Sequence, residues 1–235
     1  VEHPVTERVT GLDLVALQLR VAAGEPLLLK QSDIQLNGHA VEARIYAEDP
    51  ENNFLPSPGQ IDELMFPESE GLRTDTGVDS GDEVSGYYDP MVAKMIATGT
   101  DRQEALQQLA RGLSQTCLIG LTSNLSFLSR LCQHEAIKDG QMTTSFVDQN
   151  LEYLTDQSLP PDAVLAAAGM SQLQADTALP GWRHWGAGNL PVLLEAKAGL
   201  ISLVLQIQSA DDITLKIDGR SLSYAIMRCT VHKLT

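Results

Sequence analysis

Two short stretches contain the residues of this sequence that are best suited to chemistry. The first is VEHPVTE at residues 1–7, in which Glu2 precedes His3 and Pro4. Proline biases the preceding residue toward extended backbone, so we predict that Glu2 lies on extended chain at a strand end or just beyond it. A carboxylate in that place can act as a general base or as a metal ligand. The structural alternative is a solvated turn acid, which is the more common situation for a lone Glu.

The second stretch is GHAVEARIYAED, which alternates as a strand does. Ala40, Glu42, Arg44 and Tyr46 fall on one face of that strand, and apolar residues fall on the other. We expect Arg44 to be buried and therefore paired, with Glu42 as its partner two residues away. Two interpretations remain open, a structural ion pair and a guanidinium that stabilises a bound anion. The fixed charge and planar donors of arginine suit the second.

The pattern of helix and strand signals around these two stretches predicts an α+β fold. Helical spacing predicts a helix that begins at Thr10 as its N-cap, and a capping box predicts a second helix that begins at Asp101. Alternating or apolar runs between them predict antiparallel strands. Near residues 150–160 the pattern changes to one Ala-rich helix followed only by strand signals. We therefore predict a domain boundary there, with an incomplete antiparallel β-barrel beyond it.

Composition excludes several classes of function. The net charge of −15 opposes binding to nucleic acid and to anionic membranes. No stretch reaches the roughly 18 apolar residues of a membrane span. The three cysteines have no metal-binding spacing, which indicates reduced thiols in a cytosol-like compartment. Because the first residue is Val1, we expect this chain to be a fragment of a longer protein.

Six motifs in one order resemble the C-terminal part of biotin carboxylase, the ATP-grasp component of biotin-dependent acyl-CoA carboxylases. They are VEHPVTE, GHAVEARIYAEDP, FLPSPG, YYDPMVAKMIATG, DRQEAL and GLTSN. The resemblance runs from Val1 to about residue 150. It implies that residues 1–30 are the end of the ATP-grasp core. It also implies that residues 31–155 are the biotin carboxylase C-terminal domain, an antiparallel sheet with helices.

The resemblance also implies a reaction. The family is an ATP-dependent ligase in which bicarbonate and Mg-ATP give carboxyphosphate, which supplies CO2 to the enolate of biotin. By resemblance, Glu2 is the base for bicarbonate, the backbone N–H of Val1 contacts bicarbonate, and Arg44 binds biotin and stabilises its enolate. No metal ligand is implied here, because the family's Gly-rich lid, ATP-binding lysines and metal-binding acids lie upstream of residue 1. We therefore expect this polypeptide alone to be inactive.

Residues 156–235 more weakly resemble the module that follows biotin carboxylase in α subunits of the methylcrotonyl-, propionyl- and geranyl-CoA type. That module implies docking onto a carboxyltransferase β subunit and assembly into an oligomer. Biotin itself is expected on a separate or downstream carboxyl carrier domain, since the Met-Lys-Met motif is absent and Lys233 does not match it.

Two alternatives to this interpretation remain. The chain could be a noncatalytic subunit-docking module, or the equivalent part of a pyruvate- or urea-type carboxylase. The expected location is the cytoplasm of a bacterium or the mitochondrial matrix of a eukaryote.

Overall fold

The computed structural model describes residues 2–155, 160–171, 188–196, 199–209, 212–217 and 220–225 of the chain. The chain forms two compact units, which divide between Asp156 and Gln157. Each unit has a hydrophobic core of its own. Among the described residues, no helix is both long enough and apolar enough to cross a lipid bilayer.

The first unit combines short helices with short antiparallel strands. Its helices are α1 (Pro4–Thr10), α2 (Leu14–Ala22), α3 (Arg102–Gln115), α4 (Leu125–Gln133), α5 (Glu135–Lys138), α6 (Phe146–Gln149) and α7 (Leu151–Leu154). Its strands are β1 (His39–Tyr46), β2 (Glu48–Asp49), β3 (Leu55–Pro56), β4 (Gly59–Gln60), β5 (Glu63–Met65), β6 (Leu72–Thr76), β7 (Glu83–Val84), β8 (Met91–Gly99) and β9 (Cys117–Ile119).

A three-stranded antiparallel sheet in the order β1, β8, β6 is the centre of the first unit. One face of this sheet bears Ala43, Ile45 and Met95, which are buried in the core. Helix α3 packs against β1 and β8 and contributes its own buried side chains to that core. Because successive side chains of a strand point to opposite faces, Glu42 and Arg44 lie on the other face of the sheet.

Local sequence accounts for α3. The Asp101 side chain accepts the backbone N–H of Glu104 at 2.9 Å, which confirms the predicted N-cap. Leu106, Leu109 and Leu113 recur at helical spacing and are all buried, so the apolar stripe of the helix faces the sheet.

Helix α1 differs from the sequence prediction. Extended backbone was expected around VEHPVTE, but the chain is helical from Pro4 onward. Proline is well tolerated at the first helical position, since its missing N–H would have no partner there. Gly11 ends the helix with a φ of +71°, a conformation that glycine adopts without strain. Glu2 itself lies in irregular backbone two residues before the helix, and its place at or just beyond a strand end stays a prediction.

The cap of α2 also differs from the prediction. Asp13, rather than Thr10, is the N-cap, and its carboxylate accepts the N–H of Ala16 at 2.8 Å. Thr10 is already the last residue of α1, where its hydroxyl donates to the carbonyl of Thr6 at 2.6 Å. Because α1 extends to Thr10, the N-cap of α2 lies three residues later than predicted.

The second unit packs one helix against a sheet. It contains α8 (Asp162–Ser171), β10 (Gly188–Ala196), β11 (Gly199–Ser209), β12 (Asp212–Ile217) and β13 (Arg220–Ala225). The four strands pair antiparallel in chain order. Leu165 and Ala166 of α8 are buried with Leu203, Leu205 and Leu215 of the sheet. The described strands form an open sheet, and the incomplete barrel stays a prediction.

Candidate active site

Charged side chains line up across the sheet on the face opposite α3. We call this surface the polar face and define it by Glu42, Arg44, Arg73, Asp75 and Lys94. In the antiparallel register, Lys94 of β8 lies between Arg44 of β1 and Asp75 of β6. Residues opposite one another in such a pair share a face, so these three side chains form one row. Ile96 lies in the next row of the same face.

Helix α1 covers part of the polar face. It packs against β1 and β8. Ile96 is fully buried although it does not belong to the face that contacts α3, and Pro4 of α1 is buried as well. A side chain of α1 also reaches the polar face directly, since Glu7 bonds to Arg73. The helix that follows Glu2 is therefore seated on the same side of the sheet as Arg44.

The direction of α1 is set at its other end. The N–H of Asn37 donates to the carbonyl of Val9 at 2.8 Å, so the carboxyl end of α1 lies beside the start of β1. Glu2 is at the opposite end of the helix and is solvent-exposed. Glu2 thus belongs to the segment that leads into a helix on the Arg44 side of the sheet, at the end of that helix remote from the start of β1.

Arg44 is paired as expected but is not buried as expected. Its Nε donates to Glu42 Oε1 at 3.1 Å, and its side chain is 49% exposed whereas that of Glu42 is 15% exposed. Tyr46 and then Glu42 raise the pKa of the guanidinium, which remains charged at every physiological pH. The expectation of burial is wrong because α1 covers only part of this face and leaves the Arg44 side chain open to solvent. An oriented, half-exposed arginine can bind an anionic or carbonyl oxygen.

A second ion cluster ties α1 to the sheet. Arg73 donates from Nε and Nη2 to both carboxylate oxygens of Asp75, at 2.7 and 2.8 Å, and from Nη1 to Glu7 Oε2 at 2.8 Å. Glu7 Oε1 accepts the N–H of Leu14 at 2.9 Å. The hydrogen bond from Arg73 is the largest cause that lowers the pKa of Glu7. One carboxylate thus joins α1, the first turn of α2 and β6.

The sequence analysis missed the residue that holds the end of β1. Asn124, which is 4% exposed, accepts the N–H of Tyr46 at 3.0 Å through Oδ1. Its Nδ2 donates to the carbonyl of Arg44 at 3.2 Å and to Glu48 Oε1 at 3.1 Å. Burial raises the pKa of the Glu48 carboxyl, and the bond from Asn124 opposes that rise. The motif GLTSN contained this asparagine, but the sequence showed no partner for it.

Of the predicted site residues, Val1 lies outside the described part of the chain, as does Lys233, which was not predicted to carry biotin. Within the described ranges, no three His, Cys, Asp or Glu side chains are grouped as a metal site would need. The exposed guanidinium of Arg44 does fit the ureido oxygen of biotin, which needs a hydrogen-bond donor of positive charge.

Comparisons with known proteins show the family to which this sequence is related. Residues 42–149 match the biotin carboxylase C-terminal domain, and residues 1–30 match the ATP-binding domain of the carbamoyl-phosphate synthase L chain. The α subunit of mitochondrial methylcrotonoyl-CoA carboxylase from Mus musculus is 48% identical over 173 residues, which cover 73% of this chain and 24% of that protein. Residues 1–149 of this chain belong to the biotin carboxylase family. The predicted recognition is confirmed, as is an α+β fold for this unit.

Two further relatives define the extent of the match. The biotin carboxylase domain of Hydrogenobacter thermophilus 2-oxoglutarate carboxylase, solved as a dimer with MgADP, ADP and bicarbonate, has a TM-score of 0.65 and 34% sequence identity to this chain. The match covers 68% of this chain and 35% of that one. The methylcrotonoyl-CoA carboxylase α subunit of Arabidopsis thaliana is 40% identical over 204 residues, covering 81% of this chain and 27% of that protein.

The chain spans about a quarter of the length of these curated α subunits. The plant alignment covers more residues than the first unit contains, so it extends into the second unit. The relationship to methylcrotonoyl-CoA carboxylase α subunits therefore includes part of the helix-and-sheet unit as well as the biotin carboxylase part.

Proposed function

We propose that this chain forms the bicarbonate- and biotin-facing part of the biotin carboxylase in the α subunit of an acyl-CoA carboxylase, of the methylcrotonyl-, propionyl- or geranyl-CoA type. One observation carries the proposal. In a chain of this family, a half-exposed Arg44 is oriented by Glu42 on the sheet face that α1 partly covers, and α1 begins two residues after Glu2.

Each residue has a distinct task in the proposal. Glu2 removes the proton of bicarbonate at a carboxylate oxygen, which makes bicarbonate a better nucleophile. The backbone N–H of Val1 donates to bicarbonate. Arg44 donates to the ureido oxygen of biotin and offsets the negative charge that develops there. Glu42 accepts from Arg44 Nε and, together with Tyr46, holds the guanidinium in place for the substrate.

The cofactors follow from the family. When bound, biotin supplies the ureido nitrogen that accepts the carboxyl group. ATP and Mg are the other participants that the proposal requires, and their binding residues are not assigned to this chain. Biotin is delivered on a carboxyl carrier domain, either separate or downstream.

The second unit has a different task in the proposal. We assign α8 and the sheet of β10–β13 to docking on a carboxyltransferase β subunit, in an oligomeric holoenzyme. The alignment with the plant α subunit supports this, because it extends past residue 156. The net charge of −15 argues against nucleic acid and membrane surfaces as partners. The holoenzyme would act in a bacterial cytoplasm or in the mitochondrial matrix.

Substitution in the full-length chain tests the site. We expect Arg44→Ala to lower kcat/KM for free biotin at least 100-fold, a typical effect of removing a charge-stabilising donor. Bicarbonate-dependent ATP hydrolysis without biotin should persist. Glu2→Gln should abolish both activities, since it removes the base. Arg111→Ala, which removes an exposed arginine of α3, is the matched control.

Two alternative functions can be separated from this proposal by experiment. A noncatalytic docking module would lose subunit assembly on disruption of α8 and show no catalytic effect of Arg44→Ala. A pyruvate- or urea-type carboxylase would show the same effect of Arg44→Ala. That class is separated from ours by a carboxyltransferase assay with acyl-CoA, pyruvate and urea as acceptors.

A further inference from the structure

We propose that Asn124 is a positioning residue for Arg44. From the loop between β9 and α4, it holds the backbone of β1 at the point where the Arg44 side chain emerges. This inference rests on the proposed role of Arg44 in binding biotin. Asn124 is 80 positions from Arg44 in the sequence. In this proposal it acts on biotin only through the position of Arg44.

The ladder between β1 and β8 is interrupted where Asn124 binds. The register shifts between Ile45 and Tyr46, so the regular cross-strand pairing of β1 fails one residue after Arg44, beyond Ile45. Strand β1 lies at one edge of the described sheet, and beside this shift the Asn124 amide binds it on both sides of Ile45, at the carbonyl of Arg44 and at the N–H of Tyr46. Its own backbone N–H donates to the Tyr46 carbonyl at 3.2 Å. The end of β1 is thus held by one buried side chain.

Asn124 occupies a position that normally has another use. It is the N-cap of α4, where an asparagine side chain usually accepts an N–H from the first turn of its own helix. No such side-chain bond is made here. The amide is directed to β1 instead, so its orientation serves the strand and not the helix.

The loop that bears Asn124 is itself anchored. Gly120 has a φ of +111°, and a Cβ there would collide with the carbonyl oxygen of Gln60. The N–H of Thr122 donates to Ser57 Oγ at 3.3 Å. The loop is therefore pressed against the chain that follows β1, which gives Asn124 a rigid support.

The Glu48 carboxylate makes the site sensitive to the identity of residue 124. Glu48 Oε1 and the Arg44 carbonyl both accept from the single Nδ2 of Asn124. Asn124→Asp keeps the oxygen that accepts the N–H of Tyr46. It replaces the Nδ2 donor with a second oxygen, which would face the Arg44 carbonyl and the Glu48 carboxylate. The expected consequence is displacement of the β1 end, and with it of the Arg44 guanidinium.

The experiment uses the full-length chain with free biotin as the substrate. Asn124→Asp and Asn124→Ala should lower kcat/KM for biotin at least tenfold, while bicarbonate-dependent ATP hydrolysis without biotin stays within twofold of the unsubstituted enzyme. Asn150→Ala is the matched control, because Asn150 donates to the Phe146 carbonyl at 2.8 Å within the α6–α7 segment. It should leave both activities unchanged.

Two double variants test whether Asn124 acts through its stated partners. Adding Glu48→Gln to Asn124→Asp restores an amide donor opposite the new carboxylate and should recover at least threefold of the loss. In an Arg44→Ala background, Asn124→Asp should cause no further loss. Additive losses in that background, or equal losses of biotin carboxylation and ATP hydrolysis, would overturn the positioning role.

The remaining outcomes are also decisive. If Arg44→Ala lowers kcat/KM for biotin but the Asn124 variants do not, only the positioning role is wrong. If Arg44→Ala has no effect, the proposed function itself fails. Asn124→Ser, which retains one donor and one acceptor, replaces any variant whose circular dichroism shows it unfolded. If no replacement at residue 124 folds, Asn124 is a folding residue and the proposal is overturned.

Discussion

The contact between Glu7 and Arg73 should contribute measurably to stability, because it joins the helix that follows Glu2 to the central sheet. Arg73 Nη1 lies 2.8 Å from Glu7 Oε2, and the Glu7 side chain is only 11% exposed. A hydrogen bond between charged partners of this kind contributes about 1.5–3 kcal/mol. Glu7→Gln removes the charge but keeps an oxygen for the N–H of Leu14. We therefore expect Glu7→Gln to lower the free energy of unfolding by about 1.5–3 kcal/mol at pH 7.

The effect should depend on pH in a defined direction. Arg73 lowers the pKa of Glu7 below its ordinary value of 4.5, so folding favours the charged carboxylate. The stabilisation is then complete above pH 4.5 and is lost as the pH falls through the lowered pKa. The difference between the unsubstituted chain and Glu7→Gln should shrink accordingly in acid.

Urea unfolding followed by far-UV circular dichroism, together with hydrogen exchange of the 4–10 segment, measures this effect. Arg73→Met and the double variant complete a double-mutant cycle. Glu135→Gln is the control, since Glu135 pairs with Lys138 on an exposed surface, where ion pairs contribute little. Equal destabilisation by Glu7→Gln and Glu135→Gln, or a cycle with no coupling between Glu7 and Arg73, would refute the reasoning.

Three further results are expected. Burial raises the pKa of the Cys132 thiol to about 11, so a thiol reagent at pH 8 should not label Cys132 until the chain is unfolded. Peptide mapping measures this, and rapid labelling of Cys132 in the folded chain would contradict it. Gly120→Ala should destabilise the first unit by about 1–3 kcal/mol in thermal unfolding, because alanine is strained at a φ of +111°; an unchanged melting temperature would count against it. Finally, the 235-residue polypeptide should show no bicarbonate-dependent ATP hydrolysis, and clear activity would disprove the expectation that it is inactive alone.

Local patterns predicted the parts of this fold that depend on neighbouring residues. The capping box at Asp101 and the alternation around Arg44 each involve residues within a few positions of one another, so the sequence was sufficient for α3 and β1. The same approach failed for VEHPVTE. The restriction on the residue before proline applies to His3 alone and says nothing about Pro4, which can equally begin a helix.

The sequence by itself determined the family, the fold class of the first unit, and Glu2 and Arg44 as the residues of interest, because these depend on motifs and on short-range periodicity. The tertiary structure alone decided that Arg44 is half exposed, that α1 lies on its side of the sheet, and that Asn124 holds the end of β1. Arg73 bonds to Glu7 across 66 positions, and Asn124 bonds to Arg44 across 80. Contacts at such separations form only when packing of the hydrophobic core brings the elements together, and no local pattern encodes them.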